Sequence, residues 1–327
     1  MEPLTQQLLC DDDDEVLAEL LLERQKLLTL LDDILDESDS EDECTKSKAR
    51  TCKRIDKTSQ HWETECQTMS EASFCKRFRM SQSTFRKLLD MIKDTITVSN
   101  FANDAVAADK RLAITLRYLG SGADITMLAD LFGLGETTIR TIIKQVVTAI
   151  AGCEQLQDLV QFPSTEDEFS LVAKRFFDRF QFPNCVGAVD DTHISIMKPS
   201  AENDPSSYLD YKKDYSIHLQ AVCDADTRVL FYHVGAPGKN NDGGVMELSG
   251  LKNLLEEGRV PARYHLIGDP AFPLHVNLLT RFPGLLLTEF ESRSRYNWRQ
   301  SRSRMIIEQL FGDLSASNCC KLLAMQF

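Results

Sequence analysis

Two adjacent aspartates, Asp190 and Asp191, are the first candidates for chemistry in this sequence. They follow an apolar run, residues 185–189, whose composition after Pro183-Asn184 predicts a buried strand. Ionised carboxylates are costly to bury without a compensating partner. Because neighbouring residues of a strand face opposite sides, both aspartates cannot point into one site. A strand that ends in a solvated Asp-Asp turn explains this segment equally well.

Two further acids extend the pattern. Asp269 ends a short predicted strand, residues 263–267, and Glu308 lies on a predicted helix, residues 302–310. Carboxylates gathered from separate elements form an oxygen-rich site suited to Mg²⁺, and two such ions can stabilise both oxygens of a phosphodiester exchange. Asp190, Asp269 and Glu308 are therefore one candidate set of ligands, but spacing alone does not single them out, because an acidic protein offers many such triplets.

The elements that must position these acids alternate between strands and helices. After the first strand, residues 215–221 and 228–234 predict a hairpin, and residues 236–244 predict a loop rich in turn residues. A helix over residues 248–255 separates this loop from the strand that ends at Asp269. The order predicts an α/β domain.

The region before that domain shows helical patterns. Residues 125–132 predict a short helix, a Gly-Leu-Gly turn follows, and a longer helix comes next, which is the signature of a helix-turn-helix. In that arrangement Thr138, Arg140 and Lys144 would lie at the start of the recognition helix, where such motifs contact DNA. An ordinary pair of antiparallel helices is the alternative.

The net charge of −13 would disfavour nucleic-acid binding if it were spread evenly, but it is concentrated near the N-terminus. Residues 1–45 carry sixteen acidic residues against two basic ones, a net charge of −14, so the other 282 residues sum to about +1. The rest of the chain can therefore present basic patches. No apolar run approaches the roughly 18 residues that span a bilayer, and we expect no membrane association. The ten cysteines lack zinc-ligand spacing and indicate reduced thiols in a cytosolic or nuclear protein.

The N-terminal segment carries its own signals. Leucines at helical spacing over residues 15–35 predict an amphipathic helix for self-association or partner binding. A polar stretch after it predicts a disordered linker. Six basic residues between Lys46 and Lys57 suit nuclear import or phosphate contacts, and a solvated linker explains them equally well.

Several ordered motifs resemble those of the PIF/Harbinger transposases and the nucleases derived from them. GAVDDTHI at 187–194 is similar to the family's first catalytic motif, usually GAIDGTHI, and GDPAFPL at 268–274 is similar to the second, usually GDSAYPL. YNWRQSRSRMIIEQLFGDL at 296–314 resembles the third, YSIHLQAVCDADTRVL at 215–230 the central hairpin, and LADLFGLGETTIRTII at 128–143 the helix-turn-helix. The resemblance covers roughly residues 74–314.

This resemblance implies a ribonuclease H-like fold, with the first Asp on the central strand and the Glu on a packing helix. It implies that Asp190, Asp269 and Glu308 are the catalytic residues and the ligands of Mg²⁺ or Mn²⁺, with a secondary role for Asp242.

A run of arginines lies beside the third motif. Within it, Arg302 and Arg304 are candidates for binding the DNA backbone, because arginine gives phosphates bidentate contacts. A helix face that pairs with acids elsewhere is the alternative. We expect His193, in the first motif, to be a packed or supporting histidine.

The sequence departs from the family at two places. Asp191 replaces a glycine, and we expect its charge to exclude the substrate phosphate, so that D191G raises cleavage and DNA affinity. Residues 315–327 resemble none of the family's usual helices and suggest a truncated or alternatively spliced end.

We therefore predict an acidic helix and disordered linker (1–70), a helical domain with a helix-turn-helix (71–180), a ribonuclease H-like DDE nuclease domain (181–314) and an atypical tail (315–327). The predicted function is Mg²⁺-dependent cleavage of DNA phosphodiester bonds by a two-metal mechanism, in the nucleus or also in the cytoplasm. Expected partners are DNA, a Myb-like DNA-binding protein and a second copy of the chain. The alternative is a catalytically silent nuclear DNA-binding or chromatin-associated protein on the same scaffold.

Overall fold

The computed structural model describes residues 61–66, 68–97, 106–199, 204–284 and 291–316. The predictions for the acidic helix and the linker, and for the tail beyond residue 316, lie outside the described residues. No helix in the described ranges is long and apolar enough to cross a membrane.

The first half of the described chain is helical. A short helical turn, His61–Cys66, precedes α1 (Glu71–Phe78), α2 (Gln82–Ile96), α3 (Ala108–Ser121), α4 (Ile125–Phe132), α5 (Glu136–Ala151) and the single-turn α6 (Glu154–Gln157). These helices bury one shared apolar core, which includes Phe85, Leu112, Leu128, Phe132, Ile139 and Ile143. Burial of apolar side chains, each contributing about 1.5–3 kcal/mol, holds this unit together.

Helices α4 and α5 are joined by three residues. Gly133 ends α4 in the left-handed conformation, with φ of 67°, which favours glycine. Leu134 then donates its N–H to the Ala129 oxygen at 3.0 Å, and α5 begins directly after Gly135. The chain therefore reverses within the Gly-Leu-Gly turn that the sequence indicated, and the two helices pack against each other.

The second half is built on a five-stranded mixed sheet. Its strands are β1 (Cys185–Ser195), β2 (Ser216–Cys223), β3 (Val229–Pro237), β4 (His265–Ile267) and β5 (Leu278–Leu279). They are arranged in the order β3-β2-β1-β4-β5, which makes β1 the central strand. Strands β1, β2 and β3 pair antiparallel, whereas β4 is parallel to both β1 and β5. The mixed α/β architecture that the sequence predicted is confirmed.

Strand β1 is longer than the apolar run that predicted it. We placed Asp190 after this strand, but the strand continues to Ser195, because residues 188–195 pair in register with residues 216–223 of β2. At the start of β1, a Cβ on Gly187 would lie 2.6 Å from a methyl group of Val222 and 2.8 Å from one of Leu266. A residue with a side chain at this position would have to displace these two methyl groups, so the present packing requires glycine.

In the described ranges the helices that cover the sheet are α7 (Glu166–Phe180), α8 (Asp242–Leu248), α9 (Leu251–Glu256) and α10 (Glu291–Ala316). One apolar cluster joins α7 and α10 to β1 and β2, and includes Phe176, Ile194, Ile217, Ile306 and Ile307. A second cluster joins α7, α8 and α9 to the strands, and includes Phe169, Val189, Val222, Met246 and Leu251. Helix α7 thus packs with the sheet, ahead of the boundary at residue 180 that the sequence suggested.

Helix α8 begins inside the segment that we predicted to be a loop. The Asn241 side chain accepts the Gly244 N–H at 2.9 Å, and this cap starts a helix at Asp242. The helix predicted over residues 248–255 is divided at Gly250, whose φ is 74°. The start of α8 at Asp242 matters for the site, because it places the Asp242 carboxylate at the beginning of a helix.

Candidate active site

Asp190 and Asp191 face opposite sides of the sheet, as strand alternation requires. Asp190 shares its face with Ile194 and with the α10 side of the core, whereas Asp191 shares its face with Val189 and the α8 side. The two adjacent carboxylates therefore have different partners and separate roles.

The Asp190 carboxylate is bound by an arginine of α10. Arg304 Nη1 donates to Asp190 Oδ2 at 2.6 Å, and Nη2 of the same guanidinium pairs with Glu308. The side chains of Asp190 and Arg304 are 16% and 19% exposed, whereas Glu308 is half-exposed. One guanidinium thus joins two of the three acids that the sequence predicted to act together.

The third acid, Asp269, is held in a turn beside β4. Its Oδ1 accepts the Ala271 N–H at 2.8 Å. The preceding residue, Gly268, receives a hydrogen bond at 2.7 Å from Nε2 of Gln300, a fully buried residue of α10. Because Gln300, Arg304 and Glu308 are spaced by four residues, they lie along one face of α10. The same helix face therefore contacts the Asp269 turn and Asp190.

Burial, and to a smaller extent neighbouring acids, raise the pKa values of two aspartates at this place. Burial raises the pKa of Asp190 to about 7 against the opposing effect of Arg304, and the charges of Asp191 and Asp269 raise it further. Burial also raises the pKa of Asp242 to about 6, with added effects of Asp191 and Asp269. Asp269 is therefore near enough to influence acids on both faces of β1.

Asp191 belongs to a polar cluster between β1 and β2. His218 Nδ1 donates to Asp191 Oδ2 at 2.5 Å, and both side chains are more than nine-tenths buried. The ring of His193 lies 4.1 Å from that of His218, and its Nδ1 is 2.9 Å from Ser216 Oγ. Asp191 is thus the buried partner of a histidine, a structural role that we did not expect from the sequence.

The donor chemistry of this site fits a divalent cation. Within the described ranges, no three Asp, Glu, His or Cys side chains are placed to hold one ion in the present conformation. However, three carboxylates at the predicted positions supply the hard oxygen ligands that Mg²⁺ and Mn²⁺ prefer. The pKa of Asp190 is raised chiefly by burial, and a cation bound at this carboxylate would favour its ionised form.

The predicted DNA-binding residues lie in different environments. Thr138 is exposed at the start of α5, whereas Arg140 and Lys144 are half-buried. Arg302 is exposed on α10, and its guanidinium lies 5.5 Å from the centre of the Trp298 ring. Arg304 instead contacts Asp190 and Glu308, which is the alternative of a helix face paired with acids.

Sequence reasoning missed two residues of this site, His218 and Gln300, and one contact, the pair between Arg304 and Glu308. The Arg304–Glu308 pair had a readable signal, because residues four apart on a helix are neighbours. His218 and Gln300 had none, because their contacts depend on the register of β1 against β2 and on the docking of α10.

Comparison with known proteins assigns this part of the chain to a class. Residues 189–317 match a family described as the DDE superfamily endonuclease, and residues 56–152 match a family described as a domain of unknown function. Residues 189–317 are therefore similar to DDE superfamily endonuclease domains. No solved structure matches the chain.

The relatives carry nuclease and chromatin names. "Protein ALP1-like" of Arabidopsis thaliana is 32% identical over 237 residues, which cover 66% of this chain and 57% of that protein. "Putative nuclease HARBI1" of Rattus norvegicus is 26% identical over 234 residues, covering 72% of this chain and 64% of that protein. "Antagonist of like heterochromatin protein 1" of Arabidopsis thaliana is 25% identical over 258 residues, covering 73% and 64%. The chain thus spans less than two thirds of these relatives, and its resemblance to the Harbinger-derived nucleases is confirmed.

Proposed function

We propose that this protein is a metal-dependent DNA endonuclease with a ribonuclease H-like nuclease domain. The observation that carries the proposal is that one face of α10 carries Glu308, reaches Asp190 on β1 and holds the turn of Asp269, in a region that matches the DDE superfamily endonuclease family. The central position of β1 and the packing of α10 on the sheet agree with the expected ribonuclease H-like placement of the first Asp and the Glu.

In the proposed two-metal mechanism, Asp190, Asp269 and Glu308 are the residues that would hold Mg²⁺ or Mn²⁺. When bound, such ions supply charge stabilisation for the attacking and leaving oxygens of an in-line displacement. The chain's own contribution is to fix the ligands: the ladder with β2 holds Asp190, the Gly268–Gln300 hydrogen bond holds the Asp269 turn, and α10 carries Glu308. Water or a DNA 3′-hydroxyl is the proposed attacking group.

We further propose that DNA lies along α10 and contacts α5. Arg302 and Trp298 present a cation and an aromatic face on the exposed side of α10, and Trp298 is 60% exposed. Such a pair is suited to a phosphate and to an unpaired base. Thr138, Arg140 and Lys144 are proposed to contact duplex DNA if α4 and α5 act as a helix-turn-helix.

The test is cleavage of supercoiled plasmid DNA with Mg²⁺ or Mn²⁺ by the wild type and by D190N, D269N and E308Q. We expect nicking by the wild type and a loss of at least about 100-fold in each variant, because removal of one electrostatic stabiliser costs that much in other enzymes. D226N is the matched control, since Asp226 is an exposed acid that pairs with Arg175. Equal activity in all variants would overturn the proposal.

The second candidate is a catalytically silent nuclear DNA-binding or chromatin-associated protein. Arg304 favours it, because this residue already compensates two of the three acids. The same assay separates the candidates: metal-independent DNA binding without any nicking by the wild type supports the silent protein.

Localisation and partners complete the proposal. We propose a nuclear protein that works with a Myb-like DNA-binding partner and forms homo-oligomers. Imaging of the tagged full chain, and sedimentation with and without DNA, test location and oligomeric state.

A further inference from the structure

Arg304 differs from the other arginines of α10 in what it contacts. Its guanidinium binds Asp190 at 2.6 Å and also pairs with Glu308, and its Nε is buried without a hydrogen-bond partner among the described residues. Arg295, by contrast, pairs with exposed Glu291, and Arg302 lies over Trp298 at the surface. Unlike Arg295 and Arg302, Arg304 therefore contacts the predicted metal ligands.

The helix holds Arg304 in this place. Gln300, one turn earlier, is anchored to the Gly268 oxygen, and Ile306 and Ile307 are buried in the core beneath the sheet. With both sides of Arg304 fixed in this way, its side chain is directed at β1. The contact with Asp190 thus follows from the docking of α10 and is not a chance encounter of two surface charges.

This position has an electrostatic consequence. A guanidinium and a divalent ion seek the same carboxylate oxygens, and like charges at such short range repel each other strongly in a half-buried site. The ion pair between Asp190 and Arg304 is shielded from water, so it persists where an exposed pair would exchange freely. A metal ion that takes the two carboxylate oxygens now bound by Arg304 must displace the guanidinium from them.

We propose that Arg304 is a displaceable internal counter-ion, which occupies Asp190 and Glu308 in the metal-free protein and competes with the divalent metal for them. The proposal rests on the proposed function, since it requires that these acids bind metal. It gives Arg304 a positioning role: the guanidinium keeps the two acids in place before the metal arrives and sets the metal concentration at which the site fills.

The experiment is a titration of the metal-free full chain with Mn²⁺ alone, followed by calorimetry and by the paramagnetic resonance signal of free Mn²⁺. R304Q removes the competing charge, and we expect it to bind Mn²⁺ on the order of tenfold more tightly than the wild type. R304K keeps the charge but lacks the two-pronged fork, so we expect an intermediate affinity. R295Q removes an exposed arginine of the same helix that pairs with Glu291, and as the matched control it should bind Mn²⁺ as the wild type does.

The outcomes separate two failures. R304Q and wild type binding Mn²⁺ with equal affinity, or R304Q binding more weakly, would overturn the counter-ion role while leaving the metal site in place. Absence of Mn²⁺ binding to wild type and R304Q alike would overturn the proposed function itself. Near-ultraviolet circular dichroism confirms folding before each titration, and if R304Q does not fold, the affinity of R304K relative to the wild type decides the question.

Discussion

Gln300 Nε2 donates a hydrogen bond at 2.7 Å to the backbone oxygen of Gly268, and this contact ties the turn that carries Asp269 to helix α10. Gln300 is fully buried, so its amide has no access to water. Gly268 belongs to the second motif of the sequence and Gln300, 32 residues later, to the third. One polar side chain thus joins the two motifs.

The first prediction concerns this contact. Q300L removes the donor and leaves the buried Gly268 oxygen unsatisfied, which should lower the free energy of unfolding by about 1–3 kcal/mol. Because the Asp269 turn is released, Mn²⁺ affinity should fall as well. Urea unfolding and metal titration measure the two effects. Q309L, at an exposed glutamine of the same helix, should change neither, and an unaffected Q300L would show that the turn is held by other contacts.

The second prediction concerns Asp191 and His218. Each of D191N and H218Q should lower stability, by about 1.5–3 kcal/mol for the loss of a hydrogen bond to a buried charge. Because the two residues are partners, the double variant should cost less than the sum, with an interaction energy of about 0.5–3 kcal/mol. Additive effects in this cycle would contradict the pairing. D191G also removes the partner of His218 and should show the same loss of stability. The gain in cleavage that the sequence predicts for D191G must therefore be measured under conditions in which the variant is folded.

The third prediction concerns Trp298. W298A should weaken binding to single-stranded DNA by about 1–3 kcal/mol, the contribution of stacking one base on an aromatic ring. W298F keeps an aromatic face and should retain most of the affinity. M305A is a suitable control, since Met305 is exposed on the same helix. Fluorescence anisotropy at two salt concentrations measures the affinities, and equal values for W298A and the wild type would remove α10 from the DNA path.

The fourth prediction concerns the pH dependence of stability. Burial lowers the pKa of His265 to about 4, and its Nε2 has no hydrogen-bond partner among the described residues. The unfolded chain takes up a proton at about pH 6.5, so stability falls as pH falls from about 6.5 towards 4.

The variant H265Q removes this titration. When the pH is lowered from 7 to 4.5, the free energy of unfolding of H265Q should rise relative to that of the wild type by on the order of 2 kcal/mol. One pKa unit corresponds to about 1.4 kcal/mol. Urea unfolding at several pH values measures the difference. Parallel stability curves for the two proteins would show that His265 is protonated in the folded state as readily as in the unfolded chain.

The parts of the site that could be predicted are those set by local geometry. Alternation along β1 predicts that Asp190 and Asp191 face opposite sides, and the structure agrees. The spacing of Arg304 and Glu308 on one helix makes them neighbours whatever the fold. Glycines at both ends of the α4–α5 turn likewise act within a few residues of chain.

The remaining parts depend on contacts between distant segments. The pairing of His218 with Asp191 requires the register of two antiparallel strands, which composition does not determine. Asp242 was assigned to a loop, because one capping side chain, Asn241, decides whether a helix begins there. The approach of Arg304 to Asp190 requires the tertiary position of α10, so the sequence could present it only as one of two alternatives.

The absence of a side chain at Gly187 affects which alignment of β1 with its neighbouring strands is favoured. Residues 185–189 are buried on both faces of the sheet, so their apolar pattern does not distinguish one strand alignment from a neighbouring one. A slip of β1 by one residue, however, would place Val186 or Ala188, which both carry a Cβ, where Gly187 now lies beside the methyl groups of Val222 and Leu266. The packing at Gly187 therefore favours the alignment that brings the two acids which follow to their separate partners.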